Sequence, residues 1–341
     1  MLKFDLCLDK KRRPVYNRKA EIGNSCPDMK SKRKKVILGV LTIVIGLPVA
    51  LILTALACFS IMDKTNGTIV SSGVTRRYLL YVPKTYDRSK ATPLVISLHG
   101  GAAWPAVEMH ISRWNVLAEQ DGFLVVYPEG SGAFFGGLGP GPQIWPMGPH
   151  SLGRDVRFIS DLIDKLEAAY NIDPTRIYAD GMSIGGGMAF ALSCRLSDRI
   201  AAIGAVSAAQ MLSWDECGDP KPVPTIAFHG TADKLAPYQG GSSPIAPGQF
   251  PKILDWTARV ASRNQCKGDP IDTRISPSVV RLAYTNCANN ADVILYTVEG
   301  GGHTWPGGKP LLEWMVGRTT DEISASRVMW EFFVQHPRGP K

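Results

Sequence analysis

No metal-binding signature occurs in the 341 residues: there is no HExxH, no closely spaced His/Cys set and no calcium loop. The sequence therefore implies no metal and no cofactor. Excess charge of one sign is missing from most of the chain. The first 35 residues hold 12 Lys/Arg and 4 Asp/Glu, which accounts for the whole net charge of +8, and the remainder holds 26 of each sign. A neutral body offers no general attraction to phosphates, which argues against nucleic acid as a partner. Charge is lacking altogether from Val36 to Met62, a run of 27 residues. There is no internal repeat. Histidine is scarce, six in all, and only two of them lie far enough along the chain to matter below.

The uncharged run is long enough to span a bilayer, since about 20 apolar residues suffice. The basic cluster Lys30-Ser31-Lys32-Arg33-Lys34-Lys35 flanks one end only. Basic flanks stay on the cytoplasmic side, so residues 1–35 read as a basic cytoplasmic tail and 36–62 as a transmembrane anchor or signal segment. Residues 63–73 read as a linker and 74–341 as an exported domain, retained on the membrane or released by cleavage near Ala57. The length of the run favours the anchor. Cys58 follows Ala55-Leu56-Ala57, a small-x-small pattern, but Ala55 is a poor match to a lipoprotein signal; Met29 is an alternative start. Cys7, Cys26 and Cys58 belong to the tail or the apolar run. Cys194, Cys217, Cys266 and Cys287 belong to the outer domain, where export would oxidise them. Four cysteines allow three pairings. Pairs 194–217 and 266–287 each bracket one short excursion between core elements, and these are the expected bridges.

Beyond the linker, strand-like and helix-like segments alternate. Val74–Pro83 is β-branched and aromatic, while Pro93–Leu98 and Phe123–Tyr127 are continuous apolar runs of the kind buried on both faces of a parallel sheet. Further strands are expected at 175–180, 201–206, 224–228, 279–284 and 293–298. Helices are expected at 107–120, 154–170, 184–196, 251–263 and 321–335. Residues 130–149, crowded with Gly and Pro, read as one long loop. The alternation predicts an α/β fold, a mostly parallel sheet with helices on both faces.

In such a sheet the chemistry gathers where loops leave the carboxyl ends of strands. Gly181-Met182-Ser183-Ile184-Gly185 lies between a predicted strand and a predicted helix, the context of the α/β-hydrolase nucleophile turn. The spacing does not suit dinucleotide binding. A serine nucleophile needs a base, and the base an orienting carboxylate, in the chain order Ser, acid, His. His303, flanked by glycines after the last predicted strand, fits the base better than His336 at a helix end. Asp233, in His229-Gly230-Thr231-Ala232-Asp233, fits the acid, with His229 a structural neighbour. The oxyanion hole should use the amides of Ile184 and Gly101, or Ala102 in place of Gly101, and His99 should brace that loop.

These motifs resemble the secreted α/β hydrolases described as polyhydroxybutyrate depolymerase-like or feruloyl-esterase-like. The likeness runs from about Arg76 to Pro337 through Leu98-His99-Gly100-Gly101, Val126-Tyr127-Pro128-Glu129-Gly130, Asp173-Pro174-x-Arg176-Ile177-Tyr178, Gly181–Gly187, 229–233 and 303–307. It implies the α/β-hydrolase fold, the same two cysteine pairings, and hydrolysis of carboxylic esters through an acyl-enzyme, on polyester or feruloyl/acetyl-polysaccharide substrates. Relatives often carry cysteine where Gly101 stands and a smaller or polar residue where Ile184 stands. Trp104, Trp145 and Trp305, with Phe134 and Phe135, lie in loops expected at the active face and are candidate substrate contacts. The same triad also serves acyltransferases and peptidases. A non-catalytic binding protein would lack a triad member, and none is missing.

Overall fold

The computed structural model describes residues 34, 47–50, 54, 61–133, 142–146, 149–208, 212–244, 249–309 and 313–339. By internal contacts the chain divides into Met1–Leu56 and Ala57–Lys341. The described residues of the first unit are helical. Most of the apolar run, together with Cys7, Cys26, Cys58, Phe134 and Phe135, lies outside the described residues. Among those that are described, no helix is long and apolar enough to cross a membrane.

In the second unit the short apolar runs become the middle of one sheet, because a strand with helices over both faces has no polar side to present. The strands are β1 (Gly67–Ser71), β2 (Val74–Tyr81), β3 (Thr92–Leu98), β4 (Leu124–Pro128), β5 (Ile172–Met182), β6 (Ala202–Val206), β7 (Thr225–Gly230), β8 (Ile271–Ser276), β9 (Val279–Tyr284) and β10 (Val293–Val298). Their spatial order is β1-β2-β4-β3-β5-β6-β7-β10-β9-β8. From β4 to β10 all pairings are parallel; the two strands at each flank are antiparallel. The order reverses between β3 and β5, which opens a crevice at their carboxyl ends.

Among the described residues, six helices of two turns or more cover the sheet: α1 (Pro105–Ser112), α2 (Trp114–Asp121), α3 (Pro149–Ala169), α4 (Ile184–Arg195), α5 (Ile253–Arg263) and α6 (Ala325–Gln335). Successive side chains of a strand point to opposite faces. Leu94, Ile96 and Leu98 accordingly join Phe158 and Leu162 of α3, Phe190 of α4 and Trp256 of α5 in one core layer. Val95, Tyr127, Tyr178 and Phe228 join Trp114 of α2 and Met329, Trp330 and Phe333 of α6 in the other. That second layer is dense in rings: Phe333 stacks on Tyr178 at 4.7 Å, and Phe123 on Trp330 at 3.9 Å.

The structure departs from the sequence expectations in five places. Residues 63–73 are not a free linker: they contain β1, which pairs along its length with β2, and Asp63 holds Arg77. The helix expected over 107–120 is broken at Arg113, whose φ of 58° ends α1 and starts α2. The loop 130–149 carries a small antiparallel pair, Gly132–Ala133 with Gln143–Ile144, and yields to α3 at Pro149. Strand β8, with alternating polar residues and almost no burial, was not foreseen. The last helix starts at Ala325 rather than 321, with Ser324 Oγ accepting from Arg327 N. Cys194 is joined to Cys217 and Cys266 to Cys287.

Candidate active site

Ser183 follows β5 and precedes α4, with φ 56° and ψ −124°. A non-glycine residue held there is strained by roughly 1–3 kcal/mol, and such strain persists only where the surroundings enforce it. The enforcement is visible in the flanking glycines. A Cβ on Gly181 would land 2.6 Å from Leu98 O, and one on Gly185 would meet the backbone of both Leu98 and His99. Ser183 N is also bonded to Val206 O at 2.8 Å, fastening the turn to the end of β6.

The turn after β3 packs against this serine. A Cβ on Gly100 would lie 3.7 Å from Ser183 Cβ, and one on Gly101 would lie 3.7 Å from Ile184 Cγ2. Gly101 and Ile184, the expected oxyanion donors, are thus neighbours across the crevice; Ala102 beside them has φ 56°. His99 braces the turn. Its Nδ1 donates to Gly100 O at 2.7 Å and its Nε2 accepts from Gly130 N at 3.0 Å. Burial pushes the His99 imidazole down to about 4, so it is neutral near pH 7 and does not exchange protons there.

Asp233 and His303 meet at the carboxyl ends of β7 and β10. His303 Nδ1 donates to Asp233 Oδ2 at 2.8 Å, while Asp233 Oδ1 accepts from Leu235 N and Ala236 N. Burial alone would raise the Asp233 carboxyl. The hydrogen bonds from His229 and His303 outweigh it and hold Asp233 well below the usual carboxylate range. The sequence reading missed the first of these: His229 Nε2 donates to Ala236 O at 2.8 Å and lies 3.4 Å from Asp233 Oδ2. The His303 loop is tied towards the serine through Ser207 Oγ, which follows β6 and is 3.4 Å from Thr304 O. Among the hydrogen bonds of the described residues none joins Ser183 Oγ to His303; such contacts are commonly loose until substrate binds.

The tryptophans expected to touch substrate are placed otherwise. Trp104, Trp145 and Trp305 are all buried. Trp145 Nε1 donates to His99 O at 2.9 Å and Trp305 Nε1 to Ser326 Oγ at 3.0 Å, so these two side chains lock loops to the core. A cavity of about 20 Å³ between α4 and the Asp233 loop, lined by Phe190, His229 and Trp256 among others, is too small here for an aromatic acyl group. Beneath the serine, Ser97 Oγ lies 2.9 Å from Asp180 Oδ1 and 3.4 Å from Glu108 Oε1. Burial pushes Asp180 up to about 8 and Glu108 well above its ordinary value, the latter with help from Asp180.

Residues 76–213 match the family model described as Esterase PHB depolymerase. Feruloyl esterase B of Piromyces equi is 31% identical over 245 residues, covering 69% of this chain and 44% of its own length. The chain thus spans less than half of that relative. Feruloyl esterase C of Emericella nidulans is 29% identical over 277 residues, covering 79% of this chain and 87% of its own. Among solved structures, an acetyl xylan esterase from Aspergillus awamori superposes with a TM-score of 0.55 at 15% identity, covering 79% of this chain and 98% of that one. A ferulic acid esterase from Anaeromyces mucronatus superposes with a TM-score of 0.50 at 17% identity, covering 81% and 91%. At these identities the superpositions speak for the fold alone. Its sequence matches and its architecture together support a polyhydroxybutyrate depolymerase-like and feruloyl-esterase-like family of α/β hydrolases for this chain.

Proposed function

We propose that the chain is a serine esterase that cleaves feruloyl or acetyl esters carried on polysaccharide. The observation that carries this reading is the 2.8 Å bond from His303 Nδ1 to Asp233 Oδ2, made at the strand ends beside a serine held at positive φ. With Nδ1 donating to the carboxylate, His303 Nε2 is left to accept the Ser183 proton. Ser183 Oγ then attacks the ester carbonyl carbon, and the amides of Gly101 and Ile184 receive the oxyanion. His303 returns the proton to the departing alcohol. Water, activated the same way, later releases the acid and restores Ser183. Asp233 stays ionised throughout and stabilises the imidazolium.

The relatives' names supply the substrate class. A polyester substrate is the second reading, favoured by the description of the matching family model. A panel of p-nitrophenyl acetate, methyl ferulate, acetyl-xylan and polyhydroxybutyrate separates the two. Ser183→Ala should lower kcat by roughly 10⁶ on whichever esters are cleaved, with folding intact, and adding His303→Ala should cost little more. Turnover retained by pure Ser183→Ala protein refutes the triad. We further propose that residues 36–62 carry the domain across a membrane and hold it there, or release it near Ala57. The uncharged run, its one-sided basic flank and the two cystines of the outer domain support this.

A further inference from the structure

Six of the eight tryptophans are buried and Trp214 is half-buried beneath Arg259. Trp314 is the exception. It is 84% exposed, the most exposed large apolar side chain of the described residues, with Met315 next to it at 46%. An indole is highly buried on average, so this one stands out.

Its position gives the exposure a meaning. Trp314 belongs to the single turn Glu313–Val316, which is bonded directly to the loop of the proposed catalytic base. His303 N donates to Val316 O at 2.6 Å, Gly302 N to Arg318 O at 2.9 Å, and Gly317 N closes the turn on Glu313 O at 2.8 Å. In the acylation step the base hands its proton to the leaving alcohol, so the alcohol portion of the ester lies on the His303 side and the acyl portion on the side of the oxyanion turn. The segment 313–318 is bonded through its backbone to the loop on that alcohol side. It is also mixed in character. Glu313 and Arg318 are exposed on either side of the apolar pair, and Arg318 is held only loosely by Glu322 at 3.9 Å. A pyranose matches that mixture, with an apolar ring face for the indole and hydroxyls for the carboxylate and guanidinium. The interior of a polyester chain has no hydroxyl to offer them.

We propose that Trp314 is a specificity-determining residue that stacks on a sugar ring of the alcohol portion of the ester, with Glu313 and Arg318 reading its hydroxyls. This rests on the esterase reading above and narrows it to carbohydrate esters. The decisive comparison is Trp314→Ala and Trp314→Phe on acetylated xylo-oligosaccharide against p-nitrophenyl acetate. In Trp314→Ala, kcat/KM should fall roughly five- to tenfold more on the oligosaccharide, through KM, as expected for loss of one aromatic stack. Trp314→Phe should restore most of it. Separately, ester-free xylo-oligosaccharide should bind Ser183→Ala protein in calorimetry, and the binding should weaken when Trp314→Ala is added. Equal losses on both substrates, or no loss on either, overturn the proposal, as does a loss confined to polyhydroxybutyrate. If the wild-type protein cleaves no ester, the esterase reading fails, while the calorimetric arm still tests the sugar site.

Discussion

At the scale of single residues, the buried carboxyl of Asp180 is the group whose titration should be most visible in stability. Its folded value of about 8 lies above its ordinary 3.8. Between those values the folded protein keeps a proton that the unfolded chain releases, so this group's contribution is full below about pH 4 and is lost as pH rises through 8. Asp180→Asn should therefore raise Tm more at pH 8.5 than at pH 5. A difference independent of pH would show that Asp180 is ionised in the folded state. The residues of the proposed triad were legible as candidates in the sequence because glycine spacing and chain order point to them. Gly181 and Gly185 must lack side chains to approach Leu98, and Asp233 and His303 each follow a recognisable strand. The tryptophans were not legible, because a residue in a loop can still be buried, and Trp145 and Trp305 are. Nor does spacing reveal that His229 and His303 converge on one carboxylate oxygen.

At the scale of elements, the central strands announced themselves as unbroken apolar runs, since both faces are covered. The outermost strands, β1 and β8, did not. β8 reads Ile-Asp-Thr-Arg-Ile-Ser and leaves Ile271 59% exposed, so its partner β9 holds it by backbone pairing, which no side-chain pattern records. The break at Arg113 was equally silent, because arginine carries no signal for a left-handed conformation. The two cystines tie elements that position the site: Cys194 ends near the last turn of α4, and Cys266 follows α5. They close intervals of 23 and 21 residues, and each should contribute roughly 3 kcal/mol on the chain-entropy model. Reduction of the folded protein should lower Tm while leaving the pH dependence of kcat in place. A change in that pH dependence without loss of Tm would mean that the bridges touch the chemistry.

At the scale of the whole molecule, the proposed topology places everything after Asp63 outside the cytoplasm. Protease added to intact cells should remove the domain that follows Asp63, or that domain should already be in the medium; protection until lysis would overturn the proposal. The end of the described chain has a practical bearing of its own. Arg338 N donates to Thr175 O and its guanidinium to Pro174 O, at the start of β5. Ser183 lies past the other end of that strand, roughly 26 Å beyond Thr175 at the usual rise of an extended chain. At Arg338 the described chain lies at the base of the sheet, so a handle joined beyond it is attached away from the Ser183 end. Immobilised on a resin or a sensor surface by that handle, the protein should turn its proposed catalytic cleft outward and cleave polymeric esters at the rate it shows in solution.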